Sequence, residues 1–187
     1  MIDEIFIIGK GSSLEGFDFE RLRDKTTLCL NHAVFNVPDP DYLLFVDKSF
    51  YIKFRNFVDN FEGIVLAAIS SKYKYSLPEI ERDFTRLSGL LGIHLALEMA
   101  KKIYLLGYDM HTTTDYPYFN KDMGEDDYER WAKKDGGYRL FYQEGFWINS
   151  RLKIFEKKFS QYRDRIFNCN KGSAVKTFDF VDVEDVL

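Results

Sequence analysis

Polar residues gather where short apolar runs of this chain end, and their types decide what they could do. Gly9-Lys10-Gly11-Ser12-Ser13 follows the run Glu4 to Ile8. A glycine turn between a strand and a helix presents backbone N–H groups beside the positive end of a helix dipole, and serine hydroxyls add donors. Gly9, Gly11, Ser12 and Ser13 are therefore candidate phosphate ligands, with a plain packing turn as the alternative. The spacing is not Gly-x-Gly-x-x-Gly, because Gly16 comes too late, and it is not a Walker-type loop. Asn31 closes a second run; it offers donor and acceptor to a base or ribose, or caps the next element. Its neighbour His32 reads as structural. Asp47 follows a third run, where a carboxylate could hold a ribose, a metal or an acceptor hydroxyl, or serve as a helix N-cap. Ser88-Gly89 opens a helical stretch whose N-terminus could meet a phosphate or carboxylate, or could carry glycine for packing alone. Gly107-Tyr108-Asp109-Met110-His111 ends a further run. Asp109 and His111 could act there as base, metal ligand or phosphate partner, while an Asp at a strand end can equally anchor its loop. Tyr116 and Tyr118 follow, and phenol hydroxyls can steady a departing phosphate.

The elements that must position these groups are read from hydrophobic periodicity. Short apolar runs over 4–8, 26–31, 42–46, 63–68, 103–106 and 165–169 predict strands buried on both faces, with 175–180 as a further candidate. Between them, 17–24 predicts a helix or helical turn, 48–60, 87–100 and 138–161 predict helices, and 183–187 a terminal helical turn. Residues 69–78 read as a loop. Residues 110–137 carry Thr, Asp, Gly and Tyr with little periodicity, so they predict a lid-like insertion with a short helix near 126–133. Strands alternating with helices predict an α/β, Rossmann-like fold. Its sheet is mostly parallel, of about six or seven strands, with helices on both faces. One domain over 1–187 is the simplest organisation, since no repeat, low-complexity tract or linker is seen.

Composition narrows the partners. Net charge is −4, so a protein relying on neutralising a nucleic-acid backbone is not indicated, and the basic stretch Lys153 to Arg165 is broken by Glu156 and Asp164. No apolar run approaches the roughly 18 residues of a membrane-spanning helix. The opening residues do not resemble a signal peptide, which together predicts a cytoplasmic location. Cys29 and Cys169 each fall in a predicted strand with no Cys-x-x-Cys or Cys/His spacing, so free thiols are expected. Asp39-Pro40-Asp41 has the look of an Asp-x-Asp metal motif, but proline in the middle and a strand just after it predict a turn. The acidic stretch Asp122 to Glu129 reads as solvated surface. The aromatic content, with 18 Phe and 12 Tyr, is compatible with a homo-oligomer surface.

The ordered segments IIGKGSSL, CLNHAVF, LLFVD, LSGLLGIHLALEMAKKIYLLGYDM, YPYFN and NCNKGSAVKTF resemble those of the bacterial sialyltransferases of glycosyltransferase family 42. They also resemble the related domain of Maf-type flagellin-glycosylation proteins and archaeal hydroxymethylpterin pyrophosphokinases. The resemblance runs along nearly the whole chain. It implies a Rossmann-like sheet holding a cytidine nucleotide or similar donor. Gly9, Gly11, Ser12 and Ser13 would lie by the phosphate, with Asn31, Ser88, Gly89, Gly107, Asp109 and Ser173 at matching positions. The chain departs from that family in two ways. One of the family's two lid tyrosines falls on His111, with the other near Tyr116 or Tyr118. The family's catalytic histidine has no counterpart in Gly145 to Asn149.

The leading expectation is a nucleotide-sugar-dependent, sialyltransferase-like glycosyltransferase. It would need no metal cofactor, Asp109 or His111 would be the base, and Tyr116 or Tyr118 would serve the leaving group. A Mg²⁺-dependent pyrophosphokinase or phosphoryl transferase on the same fold, using Asp47 and Asp109 as metal ligands, is the second. A non-catalytic nucleotide-binding or scaffold protein is the third.

Overall fold

The computed structural model describes residues 1–69, 87–110 and 146–187, with the side chains of 146–148 left aside. The strands are β1 (Ile2–Ile8), β2 (Thr27–Leu30), β3 (Tyr42–Phe45), β4 (Ile64–Ala67), β5 (Ala100–Leu106), β6 (Ile166–Asn168) and β7 (Asp179–Phe180). They form one sheet in the order β4-β3-β2-β1-β5-β6-β7. The pairs β1–β2, β2–β3, β3–β4 and β6–β7 are parallel. The chain steps outward from β1 to β4, then returns to place β5 on the other side of β1. Reversal of strand order is the signature of a doubly wound, Rossmann-like sheet. The α/β fold expected from the sequence is the fold observed.

Among the described residues the α-helices are α1 (Lys48–Lys53), α2 (Arg55–Asp59), α3 (Ser88–Met99) and α4 (Phe146–Phe159). Contacts divide the chain into two compact units. One comprises Met1–Gly9, Asp18–Tyr104 and Leu187; the other comprises Lys10–Phe17 and Leu105–Val186.

In the first unit, α3 lies against β1, β2 and β3. It buries Leu90, Leu91, Gly92, Ile93, Ala96 and Leu97, the apolar positions that predicted it. In the strands it packs against, Ile5, Ile7, Ile8, Leu28, Leu43 and Leu44 are fully buried. A second packed region joins His32 edge-on to Phe50 and Phe54, with Phe35 tilted against both phenylalanines. That is the structural role the sequence predicts for His32. Asp39-Pro40-Asp41 is a turn, as expected. Asp39 is left-handed at φ 44°, and the Asp41 carboxylate accepts from the Thr27 backbone N–H at 2.8 Å. Gly63 has no room for a side chain, since a Cβ there would lie 2.7 Å from the Pro40 carbonyl oxygen. In the second unit, Phe155 on α4 meets Tyr108, Phe159 and Phe178, and all of these rings are buried.

Several boundaries differ from the sequence expectation, each for a local reason. Residues 17–24 make only a 3-10 turn, Phe19–Leu22, whose start is capped by the Asp18 side chain. The last residues do form the helical turn expected of them, a 3-10 turn over Val183–Asp185 capped by Asp182. β5 begins at Ala100, so Lys101 and Lys102 lie within the strand, pairing with Asp3 and Glu4 at 2.7 and 3.8 Å. β7 is shorter than 175–180, because the Val175 N–H is taken by the Ser173 hydroxyl at 3.0 Å. Cys169 falls one residue beyond β6. The expected 69–78 loop beyond residue 69, the 126–133 helix, most of the 110–137 insertion and the start of the 138–161 helix lie outside the described residues.

Candidate functional site

The first unit brings together Asn31 and Ser88, far apart in sequence and both singled out there. Asn31 follows β2 directly and sits in the left-handed region at φ 52°, a conformation asparagine tolerates better than most residues. Its Nδ2 donates to Ser88 Oγ at 3.1 Å, and Ser88 is the first residue of α3. The Asn31 Oδ1 is buried and has no hydrogen-bond partner among the described residues. The α3 N-cap position is Leu87, which cannot supply a side-chain cap. Gly89, the second helical residue, is half-buried. An amide with one end held and the other unsatisfied thus stands beside the positive end of a 12-residue helix. Gly9 is buried at the end of β1. Asp47 does occupy the α1 N-cap position, but it is exposed and makes no side-chain cap bond.

The second unit gathers Gly11, Ser12, Ser13, Gly107, Asp109 and Ser173 into one hydrogen-bonded knot. Gly107 is left-handed at φ 69°, and its carbonyl accepts from the Gly11 N–H at 2.9 Å. Asp109 is 5% exposed. Its Oδ2 accepts from the Ser13 backbone N–H at 2.7 Å and from Ser12 Oγ at 3.4 Å, and its Oδ1 from Ser13 Oγ at 2.5 Å and Asn170 Nδ2 at 2.8 Å. A Cβ built on Gly11 would lie 2.6 Å from either carboxylate oxygen, so glycine there makes room for this carboxylate. The knot continues backwards. The Asp109 carbonyl accepts from the Ala174 N–H at 2.8 Å, and Ser173 Oγ donates to the Tyr108 carbonyl at 2.5 Å.

Two expectations change on this geometry. The first turn opens a 3-10 turn of three residues, Ser12–Leu14, not a helix, so no helix dipole stands behind it. Its serine donors meet Asp109, where a ligand phosphate was expected. Asp109 in turn offers about four acceptor sites, and donors of the chain itself meet them here. Ser173, 1% exposed, ties the Tyr108 carbonyl to the Val175 N–H. His111, Tyr116 and Tyr118 lie outside the described residues. Among the described residues, no three His, Cys, Asp or Glu side chains are grouped to hold a metal.

The sequence reading missed Asn168 and Asn170. Asn168 Oδ1 accepts from the Asn170 N–H at 3.0 Å, and Asn170 Oδ1 from the Gly172 N–H at 2.9 Å. Asn-x-Asn-x-Gly after an apolar run is the composition of consecutive Asx turns, and that signal could have found them.

No family model matches the chain, and no curated protein matches it either. Among solved structures, it is similar to the sialyltransferase CstII from Campylobacter jejuni, determined in complex with a substrate analogue, cytidine-5'-monophosphate. The likeness covers 96% of this chain and 84% of that one, with a TM-score of 0.57 and 14% identity. At that identity the two share a fold. No helix among the described residues is long and apolar enough to cross a membrane.

Proposed function

We propose that this chain binds a nucleotide-activated sugar and acts as a sialyltransferase-like glycosyltransferase, with the nucleotide held at Asn31 and the first turn of α3. The observation that carries this reading is the Asn31 amide, fixed at one end by Ser88 and unsatisfied at the other, beside a helix start without a side-chain cap. A buried polar atom without a partner costs about 1–3 kcal/mol, and a ligand that supplies the partner recovers it. The helix start adds favourable charge for a phosphate. The resemblance to a sialyltransferase crystallised with cytidine monophosphate supports a cytidine nucleotide as the first ligand to try.

With Asp109 engaged by its neighbours, the role of base passes in this proposal to His111. Tyr116 or Tyr118 keeps the role of steadying the leaving phosphate that the family resemblance implies. No metal is required on this reading.

The test is thermal stability against CMP, CDP, UDP, GDP and ATP, each with and without Mg²⁺. A ligand at about 100 times its Kd stabilises by about 2.7 kcal/mol, a shift of roughly 5–10 °C for a chain of this size. The expected result is a cytidine-selective shift that ignores Mg²⁺ and falls to about half in Asn31→Gly at the same ligand concentration. A shift that needs Mg²⁺ would replace this reading with phosphoryl or pyrophosphoryl transfer. No shift with any nucleotide would favour a scaffold role.

A further inference from the structure

The Asp109 carboxylate is met by a donor set made for an anion. Ser13 contributes both its backbone N–H and its hydroxyl, Ser12 a second hydroxyl and Asn170 an amide, at 2.7, 2.5, 3.4 and 2.8 Å. Bonds of this kind to an ionised acceptor are about twice as strong as neutral ones. The loop that supplies them is reachable from solvent, since Ser13 is exposed and Ser12 half-buried, yet the anion at its centre is almost wholly buried. Glycine at position 11 leaves space for that group, because a Cβ there would lie 2.6 Å from its oxygens. Nothing in the donor set requires that the anion be attached to the chain.

We propose that the first turn is an oxyanion-binding loop kept closed by Asp109 acting as its tethered ligand. A tethered group competes at an effective concentration in the millimolar range or above, which a free ion has to exceed before it displaces the side chain. The loop therefore refuses phosphate in the native chain and takes a small carboxylate or oxyanion once Asp109 is shortened. The nucleotide phosphates of the ligand proposed above are met elsewhere. This inference stands apart from the nucleotide reading, because its probes contain no nucleotide and its residues do not include Asn31 or Ser88.

The experiment compares the native chain with Asp109→Ala, which removes the atoms that formate would restore. Melting temperatures are recorded in sodium formate, inorganic phosphate and sodium chloride at equal ionic strength. Asp109→Ala is expected to gain about 3 °C or more in formate over chloride, while the native chain responds to neither formate nor phosphate. An Asp109→Ala protein indifferent to formate overturns the proposal. So does a native-chain response to phosphate that Ser13→Ala abolishes, because the loop would then be open. If Asp109→Ala does not fold, the phosphate titration of the native chain against Ser13→Ala decides alone. Absence of a response, or one that Ser13→Ala leaves intact, supports the closed loop.

Discussion

Asp109 and Asn31 are both short polar residues at strand ends, and both reach across the sequence to a serine. Their states are opposite. Around Asp109 every carboxylate site has a donor, and the backbone on either side is tied by Ser173 and Ala174. At Asn31 one amide atom is held by Ser88 and the other has no partner among the described residues, although it is buried. A satisfied buried network rigidifies a fold, whereas an incomplete one costs stability and is retained where something else completes it. The difference separates a residue whose polar atoms the fold satisfies from one that keeps a buried oxygen without a partner among the described residues.

The contrast is broken most severely at Asp109. Asp109→Ala leaves buried donors at Ser13 and Asn170 without their acceptor, and should destabilise by about 3–5 kcal/mol, the range for losing one partner of a buried charged interaction. That corresponds to a fall of roughly 10 °C in melting temperature, measurable by calorimetry. Gly11→Ala attacks the same group from the other side by placing a methyl in the carboxylate's space. Overpacking of this kind costs about 1–3 kcal/mol. A loss below about 0.5 kcal/mol in both variants would remove the knot from the structural side of the comparison.

Asn31 predicts the reverse pattern. Asn31→Gly preserves the left-handed backbone and deletes the unsatisfied amide, so stability should change by no more than about 0.5 kcal/mol. Nucleotide affinity should fall about tenfold, the equivalent of one hydrogen bond of about 1.4 kcal/mol. Asn31→Ala should lose the same affinity and also about 1 kcal/mol of stability, from forcing a Cβ into the left-handed region. Calorimetric titration with CMP beside melting curves separates the two effects. Equal affinity in the native chain and Asn31→Gly would move Asn31 to the structural class.

What could be read in advance follows the length of the interactions involved. The β1, β2 and β3 runs were visible because strands covered on both faces must be apolar, the edge strand β4 was apolar although it leaves Ile64 exposed, and α3 showed because its apolar positions repeat at helical spacing. The pairing of Asn31 with Ser88 was not visible. Each residue was a candidate alone, but only the folded chain brings residues 57 apart in sequence together. The sense of Asp109 was hidden for the same reason. A Gly-x-Gly-Ser-Ser turn and a Gly-x-Asp strand end each suggest ligand binding when read locally. Together they satisfy one another, which no local pattern announces. The capping turns at Asp18 and Asp182 show how short polar side chains start single 3-10 turns, helical turns of the kind that could be read at both places.

Each polar group has a thiol beside it, and these thiols give a finer test. Cys29 lies two residues before Asn31 and is fully buried, which pushes its thiol far above the ordinary range, with the Asp41 charge adding to this. Cys169 sits between Asn168 and Asn170, and burial, followed by the Asp182 charge, raises its thiol to about 12. A raised thiol pKa means that the folded state holds its proton more tightly than the unfolded chain. The associated stability is present below about pH 9, the unfolded value, and is lost as the pH climbs towards about 12. At pH 8 a thiol of pKa about 12 is ionised in roughly one molecule in ten thousand, so both cysteines should resist a thiolate-directed disulfide reagent. Asp109→Ala loosens the Asn170 tie and should raise the labelling rate of Cys169 about tenfold while leaving Cys29 slow. Asn31→Gly, which removes no satisfied contact except that with Ser88, should leave both rates within about twofold of native. If Cys29 instead speeds up in Asn31→Gly as much as Cys169 does in Asp109→Ala, the two polar groups bear equally on their surroundings, and Asn31 is as structural as Asp109.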